Sequence, residues 1–133
     1  MKVYCDGACS GNPGPGAWAY IAFEYIAIDD DSNNTIKREA DNIKSTYTHI
    51  ATASGSYSDT TNNRMELLAA INAAQAFDNC TIVVDSKYVK DGITNWINKW
   101  RVNGWKSTAG PVKNVDLWQE LDNAAHGKNI KWE

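Results

Sequence analysis

Hydrophobic and polar positions along the chain change period near residue 62. Before it, apolar residues come in short runs rich in aromatic and β-branched side chains, bounded by turn formers, the pattern of strands. "KVYCDGA" (2–8) reads as a strand cut off by the glycine/proline stretch "GNPGPG" (11–16). "AWAYIAFEYIAI" (17–28) and "TYTHIATASGSY" (46–57) read as two more. Between them "DDDSNNT" (29–35) breaks the pattern, and "KREADNIKS" (37–45) has the spacing of a short helix. Residues 17–58 therefore predict an antiparallel pair or meander with a long polar excursion.

From residue 62 the helical period takes over. In "NNRMELLAAINAAQAF" (62–77), Leu67, Ala70, Ile71, Ala74 and Phe77 share one face, with Asn62 or Asn63 able to cap. "CTIVVD" (80–85) is a short apolar run suited to a buried parallel strand. "SKYVKDGITNWINKW" (86–100) is helical through Val89, Ile93, Trp96 and Trp100, with a break at Gly92. A basic loop, "RVNGWKSTAGP" (101–111), leads to the helix "NVDLWQELDNAA" (114–125), capped by Asn114 with Leu117, Trp118 and Leu121 inward. His126 ends that helix, and "NIKWE" (129–133) is a strand. The order β-β-β-α-β-α-α-β predicts a mixed sheet with helices packed on its faces. Trp96, Trp100 and Trp118, at helical spacing, read as core.

The 133 residues suffice for one α/β domain and are short for two. No run approaches the roughly 20 apolar residues of a membrane span, and the N-terminus lacks a signal-peptide pattern. Cys5, Cys9 and Cys80 form an odd, unspaced set that predicts reduced thiols of a cytoplasmic protein, with neither a disulfide frame nor a zinc site. The net charge of −3 argues mildly against a nucleic-acid partner. Its distribution changes that picture: acids gather at 24–41, whereas 87–113 holds Lys87, Lys90, Lys99, Arg101, Lys106 and Lys113 against Asp91 alone.

Three acids stand in unusual places. Asp6 lies inside a strand, Asp85 closes one, and Glu66 falls in the first turn of the helix between them. If those strands are neighbours, the three carboxylates converge. They cannot all stay ionised there without a cation, because like charges raise one another's pKa. Hard oxygen donors suit Mg²⁺ or Mn²⁺ better than zinc. Each has an ordinary alternative, since Glu66 could serve the helix dipole and Asp85 could cap the next helix; Asp6 has none evident. "GNPGPG" is superficially like a phosphate-binding loop, but Ala17-Trp18 follows it and no helix opens there, so it reads as a tight turn.

Together "DGACSGNPGPGAWAY", "TTNNRMELLAAI", "VDSKYVKDGI" and "NGWKSTAGPVKNVDLW" resemble type 1 ribonuclease H, the cellular bacterial and phage form. They occur in the family's order across most of the chain, and only 28–58 matches poorly. The resemblance implies an α/β, ribonuclease H-like fold in a single domain over 1–133: a mixed five-stranded sheet, three antiparallel strands then parallel ones, helices on both faces, and a basic handle between helices. It implies an endonuclease that cuts the RNA strand of an RNA–DNA hybrid, leaving 5′-phosphate and 3′-hydroxyl ends. Asp6, Glu66 and Asp85 would be catalytic and hold two Mg²⁺ ions about 4 Å apart, with Mn²⁺ as a substitute. Ser10, Gly11, Asn12, Asn62 and Asn63 match its groove contacts, where 2′-hydroxyls distinguish the RNA strand. Thr61 and Asn114 match its phosphate pocket for the DNA strand; Lys99, Trp100, Arg101, Trp105 and Lys106 match its handle. A monomer without membrane contact is implied as well.

In this family a glycine/histidine loop and a helix with a fourth aspartate follow the last strand, whereas this sequence stops at Glu133. If the protein ends there, the second ion loses a ligand, and cleavage is expected to be weak or Mn²⁺-dependent. A catalytically weakened hybrid- or RNA-binding domain is then the alternative. A different nuclease or transposase-like member of the broad fold fits less well, because the "TNNRMEL" and "PVKNVDLW" stretches are specific.

Overall fold

Strand β1 (Lys2–Cys9) alternates: Val3 and Cys5 are buried while Tyr4 and Asp6 are exposed. It pairs antiparallel with β2 (Gly14–Ala27), which pairs antiparallel with β3 (Ser45–Thr60). On its other side it runs parallel to β4 (Asn79–Val84), and β4 runs parallel to β7 (Asn129–Trp132). The sheet order is thus β3-β2-β1-β4-β7, the mixed five-stranded sheet expected. The structure, a computed structural model, describes residues 1–27 and 45–133. The polar excursion and the short helix read at 37–45 fall almost wholly outside the described residues. The turn after β1 is closed by the Ser10 N–H donating to the Pro15 carbonyl at 2.7 Å, and no helix follows it.

Helix α1 (Asn62–Ala76) covers β1 and β2. Of the stripe read from the sequence, Leu67, Ala70, Ile71 and Ala74 are buried and Phe77 is partly so, and Met65, Ala69 and Ala73 are buried as well. A helix apolar on nearly every side must be covered on both, and α4 (Val115–Ala125) packs over α1 with Leu117, Trp118 and Leu121 buried. The alanines let these layers approach. The N-cap of α1 is Thr61, whose hydroxyl oxygen accepts the Arg64 N–H at 3.3 Å; Asn62 and Asn63 lie in the first turn with exposed side chains instead of capping. The helices of the described residues stack over the Val3 and Cys5 face of the sheet. Tyr4 and Ile21, on the other face, stay exposed, so helices on both faces are met on one face among the described residues. None of these helices is long and apolar enough to cross a membrane.

Where the sequence predicts a break at Gly92, helix α2 (Lys87–Asp91) continues through a π-helical turn, Gly92–Trp96, into α3 (Ile97–Asn103). Gly92 lies against the indole of Trp118, and a Cβ built there would sit 2.0 Å from a ring carbon. Trp118 is fully buried, its ring 5.2 Å from Trp100 and 5.4 Å from Tyr88 between centroids. Trp100 is half-buried and Trp96 is 39% exposed, so only Trp118 is a core residue throughout. A small hairpin, β5 (Lys106–Ser107) and β6 (Gly110–Pro111), follows α3. His126 closes α4, as its position in the sequence predicts.

Because neither the backbone of the π-helical turn nor a fully packed indole can yield, Gly92→Ala should cost about 2–3 kcal/mol of stability. Urea denaturation measures it, and an unchanged midpoint and slope would show that the indole moves freely.

Candidate active site

The parallel register sets Cys5 opposite Val84, so the next residue of each strand, Asp6 and Asp85, emerges at one level of the sheet. Asp85 does not cap α2. That role belongs to Ser86, whose hydroxyl oxygen accepts the Val89 N–H at 3.2 Å. Asp85 is left exposed at the strand end, as is Asp6 beside it.

Glu66 comes from α1. It is the fifth helical residue, one or two positions further in than a cap at Asn62 or Asn63 would make it, and the first turn contains no acid. The dipole explanation falls with that position, since the dipole acts mainly within the first turn. What fixes Glu66 is the contact between α1 and β1. A Cβ on Gly7 would lie 2.5–2.7 Å from backbone atoms of Met65 and Glu66, so only glycine permits this approach. Beyond the last β1–β4 pair, the Gly7 N–H donates to Glu66 Oε1 at 2.5 Å. The carboxyl is only 9% exposed, and burial pushes its pKa up to about 7. The Gly7 N–H opposes that rise, and the charges of Asp6 and Asp85 add to it.

The three carboxylates therefore share one electrostatic environment. Among the described residues no three His, Cys, Asp or Glu side chains stand close enough together to hold a metal ion. Mutually repelling carboxylates close up only around a cation. The donor set itself, all carboxylate oxygen, fits a hard divalent ion. The cysteines are free thiols, and burial raises that of Cys5 to about 12, which makes it an inert core residue.

Beside the carboxylates, the turn after β1 meets the start of α1. Asn12 Oδ1 accepts the Asn62 N–H at 3.1 Å, which gathers exposed Ser10, Gly11, Asn12, Asn62 and Asn63 along one edge. Asn114 occupies the N-cap position of α4 in the left-handed region (φ 57°), and its side chain makes no capping bond. Its carbonyl oxygen accepts the Leu117 and Trp118 N–H groups, while its side-chain oxygen accepts from Arg64 at 3.3 Å and its amide donates to the Tyr88 hydroxyl at 3.3 Å. Arg64 also holds Asp116 with two parallel bonds of 3.0 and 2.8 Å, which raises its own pKa and lowers that of Asp116. Arg64 and Tyr88 were missed in the sequence reading. One signal existed: an arginine in the first turn opposes the helix dipole and needs an acid nearby.

In the handle, Lys99, Lys106, Trp96 and Trp100 line a groove of about 630 Å³. Arg101 is engaged elsewhere: its guanidinium bonds to Asp122 on α4 and to Asn98. Trp105 is half-buried beside Trp100, its N–H donating to the Trp100 carbonyl at 2.9 Å, and so forms the base of the handle. Of the five handle residues, the two lysines and Trp100 face the groove.

The family model for RNase H matches residues 1–133. The chain is 51% identical to the ribonuclease H of Jannaschia sp. (strain CCS1) over 137 aligned positions, covering 100% of this chain and 76% of that protein. It is 47% identical to the ribonuclease H of Dinoroseobacter shibae, with the same coverage. Among solved structures, LC9-RNase H1, a type 1 RNase H with the type 2 active-site motif, is 30% identical with a TM-score of 0.71; the match covers 99% of this chain and 60% of that one. On the family match over its whole length and on relatives of this identity, the chain belongs to the ribonuclease H family.

Proposed function

We propose that this chain hydrolyses the RNA strand of RNA–DNA hybrids at a site built on Asp6, Glu66 and Asp85. The observation that carries this is the buried Glu66 carboxyl, held by the Gly7 N–H and raised to about 7 by burial and by the two aspartates. Such a group is costly without a cation and suited to one. Asp6, Glu66 and Asp85 would hold divalent ions, two Mg²⁺ with Mn²⁺ as a substitute, which when bound supply an activated water and a counter-charge for the departing oxygen. Attack on the phosphorus breaks its bond to the 3′-oxygen and leaves a 5′-phosphate and a 3′-hydroxyl. Asp6 lies on β1, the strand that pairs with β4 and packs under α1, and would be a ligand alongside Asp85 and Glu66. The edge formed by Ser10, Gly11, Asn12, Asn62 and Asn63 offers hydroxyl, amide and backbone groups to the 2′-hydroxyls of the RNA strand. Thr61 and Asn114 receive a phosphate of the DNA strand, and Lys99 and Lys106 reach that strand from the handle. Arg101 instead braces the handle against α4 through Asp122.

Cleavage of an end-labelled RNA annealed to DNA tests the activity, with Mg²⁺ and with Mn²⁺ in turn. Asp6→Asn should lower kcat about 100- to 1,000-fold while hybrid binding without metal is kept or improved. Undiminished cleavage by Asp6→Asn would remove the carboxylate site from the mechanism.

Glu66 gives a pH signature in the metal-free protein. Its folded pKa of about 7 lies above the ordinary 4.5, so the native state binds more protons than the unfolded state between those values. Stability should therefore fall as pH rises from about 4.5 to 7, by on the order of 2–3 kcal/mol. Glu66→Gln should remove that part of the slope, and millimolar Mg²⁺ should offset it in the unaltered chain. Parallel stability curves for the two proteins in EDTA would contradict this.

The handle is tested by salt. Replacing Lys99 or Lys106 with alanine should each reduce the slope of log affinity against log salt by about 1. Arg101→Ala should leave that slope nearly unchanged and lower stability by about 1 kcal/mol or less, as for a half-exposed ion pair.

A further inference from the structure

We propose that Arg64 is a positioning residue that fixes the hydrogen-bond polarity of the DNA-phosphate pocket; this rests on the reading of Thr61 and Asn114 as that pocket. A phosphate only accepts, so both groups must present donors to it. An asparagine side chain can turn either end outward, and its two ends differ in sign. Arg64 removes that freedom. Its guanidinium has no acceptor, and it bonds the side chain of Asn114 at 3.3 Å, so the oxygen must face it. On the other end, the Asn114 amide donates to the Tyr88 hydroxyl oxygen at 3.3 Å. That oxygen also accepts from Trp118 Nε1, a donor only, at 3.0 Å. The second amide hydrogen of Asn114 remains for a phosphate.

The backbone of the same residue orders Thr61. The Thr61 hydroxyl oxygen accepts the Arg64 N–H at 3.3 Å, which leaves the hydroxyl hydrogen as the group turned outward. The plane of the guanidinium is held in turn by the paired bonds it donates to the Asp116 carboxylate at 3.0 and 2.8 Å. Three of the five guanidinium N–H groups are taken within the protein, two by Asp116 and one by Asn114, so the Arg64 side chain acts on the pocket through Asn114. A flipped amide would set a carbonyl oxygen against the phosphate and lose the donor at once.

Steady-state cleavage of a hybrid tests this with Arg64→Leu, Arg64→Lys and Asp116→Asn, alongside thermal unfolding of each. Arg64→Leu should raise KM about tenfold and change kcat less than about twofold. Arg64→Lys should recover the melting temperature but not KM, because one ammonium cannot span Asp116 and Asn114 in a fixed plane. In an Asn114→Ala background, Arg64→Lys should add less than about twofold to KM. Should Arg64→Leu fail to fold, Arg64→Lys and Asp116→Asn carry the same comparison. The proposal is overturned if Arg64→Lys restores KM along with stability, or if its effect persists undiminished in Asn114→Ala. Failure of the unaltered chain to bind or cut the hybrid would instead overturn the reading of function, and this inference with it.

Discussion

The contact between Gly7 and the backbone of Met65 and Glu66 fixes where helix α1 lies on the sheet, because the two backbones meet with no room for a side-chain carbon. Two consequences follow from that one approach. The helix is brought low enough for a carboxylate to reach a strand N–H, and the same carboxylate is carried out of water. Burying an acid is unfavourable unless something is gained. Here the unfavourable term is concentrated on the group nearest Asp6 and Asp85, and among the described residues Thr60 is the one other buried polar side chain in a core that runs from Val3 and Ile82 to Leu121. The fold therefore concentrates unfavourable negative charge at this corner of the sheet, and the rest of the core supplies the stability that tolerates it.

A second fixed point lies on the far side of α1. Trp118 fills the space beside Gly92, meets Trp100 and Tyr88, and donates its indole N–H to the Tyr88 hydroxyl. Through Tyr88 and Asn114 this buried cluster reaches the exposed Arg64–Asp116 pair. An indole that cannot move thus sets the phenol, the phenol helps set the amide, and the amide lies at the surface. The handle is joined to the same cluster through Trp100, and to α4 a second time through Arg101 and Asp122.

Much of this was legible in the sequence, for reasons that can be named. Asp6 was conspicuous because a strand interior gives an aspartate no local partner, and Asp85 because it closes an apolar run. The parallel register that unites them is not written locally, yet both strands had the composition of neighbours. Distant pairings were not legible. Asn62 and Asn63 are the better caps by type, yet Thr61 caps the helix, and the Asn62 N–H is taken by Asn12 from the turn after β1. Arg101 read as a free cation because its acid lies 21 residues on, in a helix that packs back onto α3. Similarly, periodicity under-read α1: Met65, Ala69 and Ala73 fall off the single stripe, and only the presence of α4 makes a second buried side. Local patterns identify chemistry that a residue cannot satisfy by itself, and they say little about chemistry satisfied at long range.

The opposed charges of the molecule acquire a common logic on the proposed reading. A net charge of −3 and the neighbouring carboxylates of Asp6, Glu66 and Asp85 should repel a polyanion, and the lysines of the handle attract it only locally. On that reading a divalent ion held by Asp6, Glu66 and Asp85 would reverse the sign of the field where a scissile phosphate approaches. By linkage, a phosphate that favours the ion-bound state must also tighten the ion, and the coupling is reciprocal. The carboxylates need only be held near enough to close, which the Gly7 contact secures for Glu66, while the substrate supplies the remaining attraction. An apolar residue in place of Glu66 would remove the buried charge, but it would also leave the Gly7 N–H without its acceptor and remove the means by which ion and hybrid would reinforce each other.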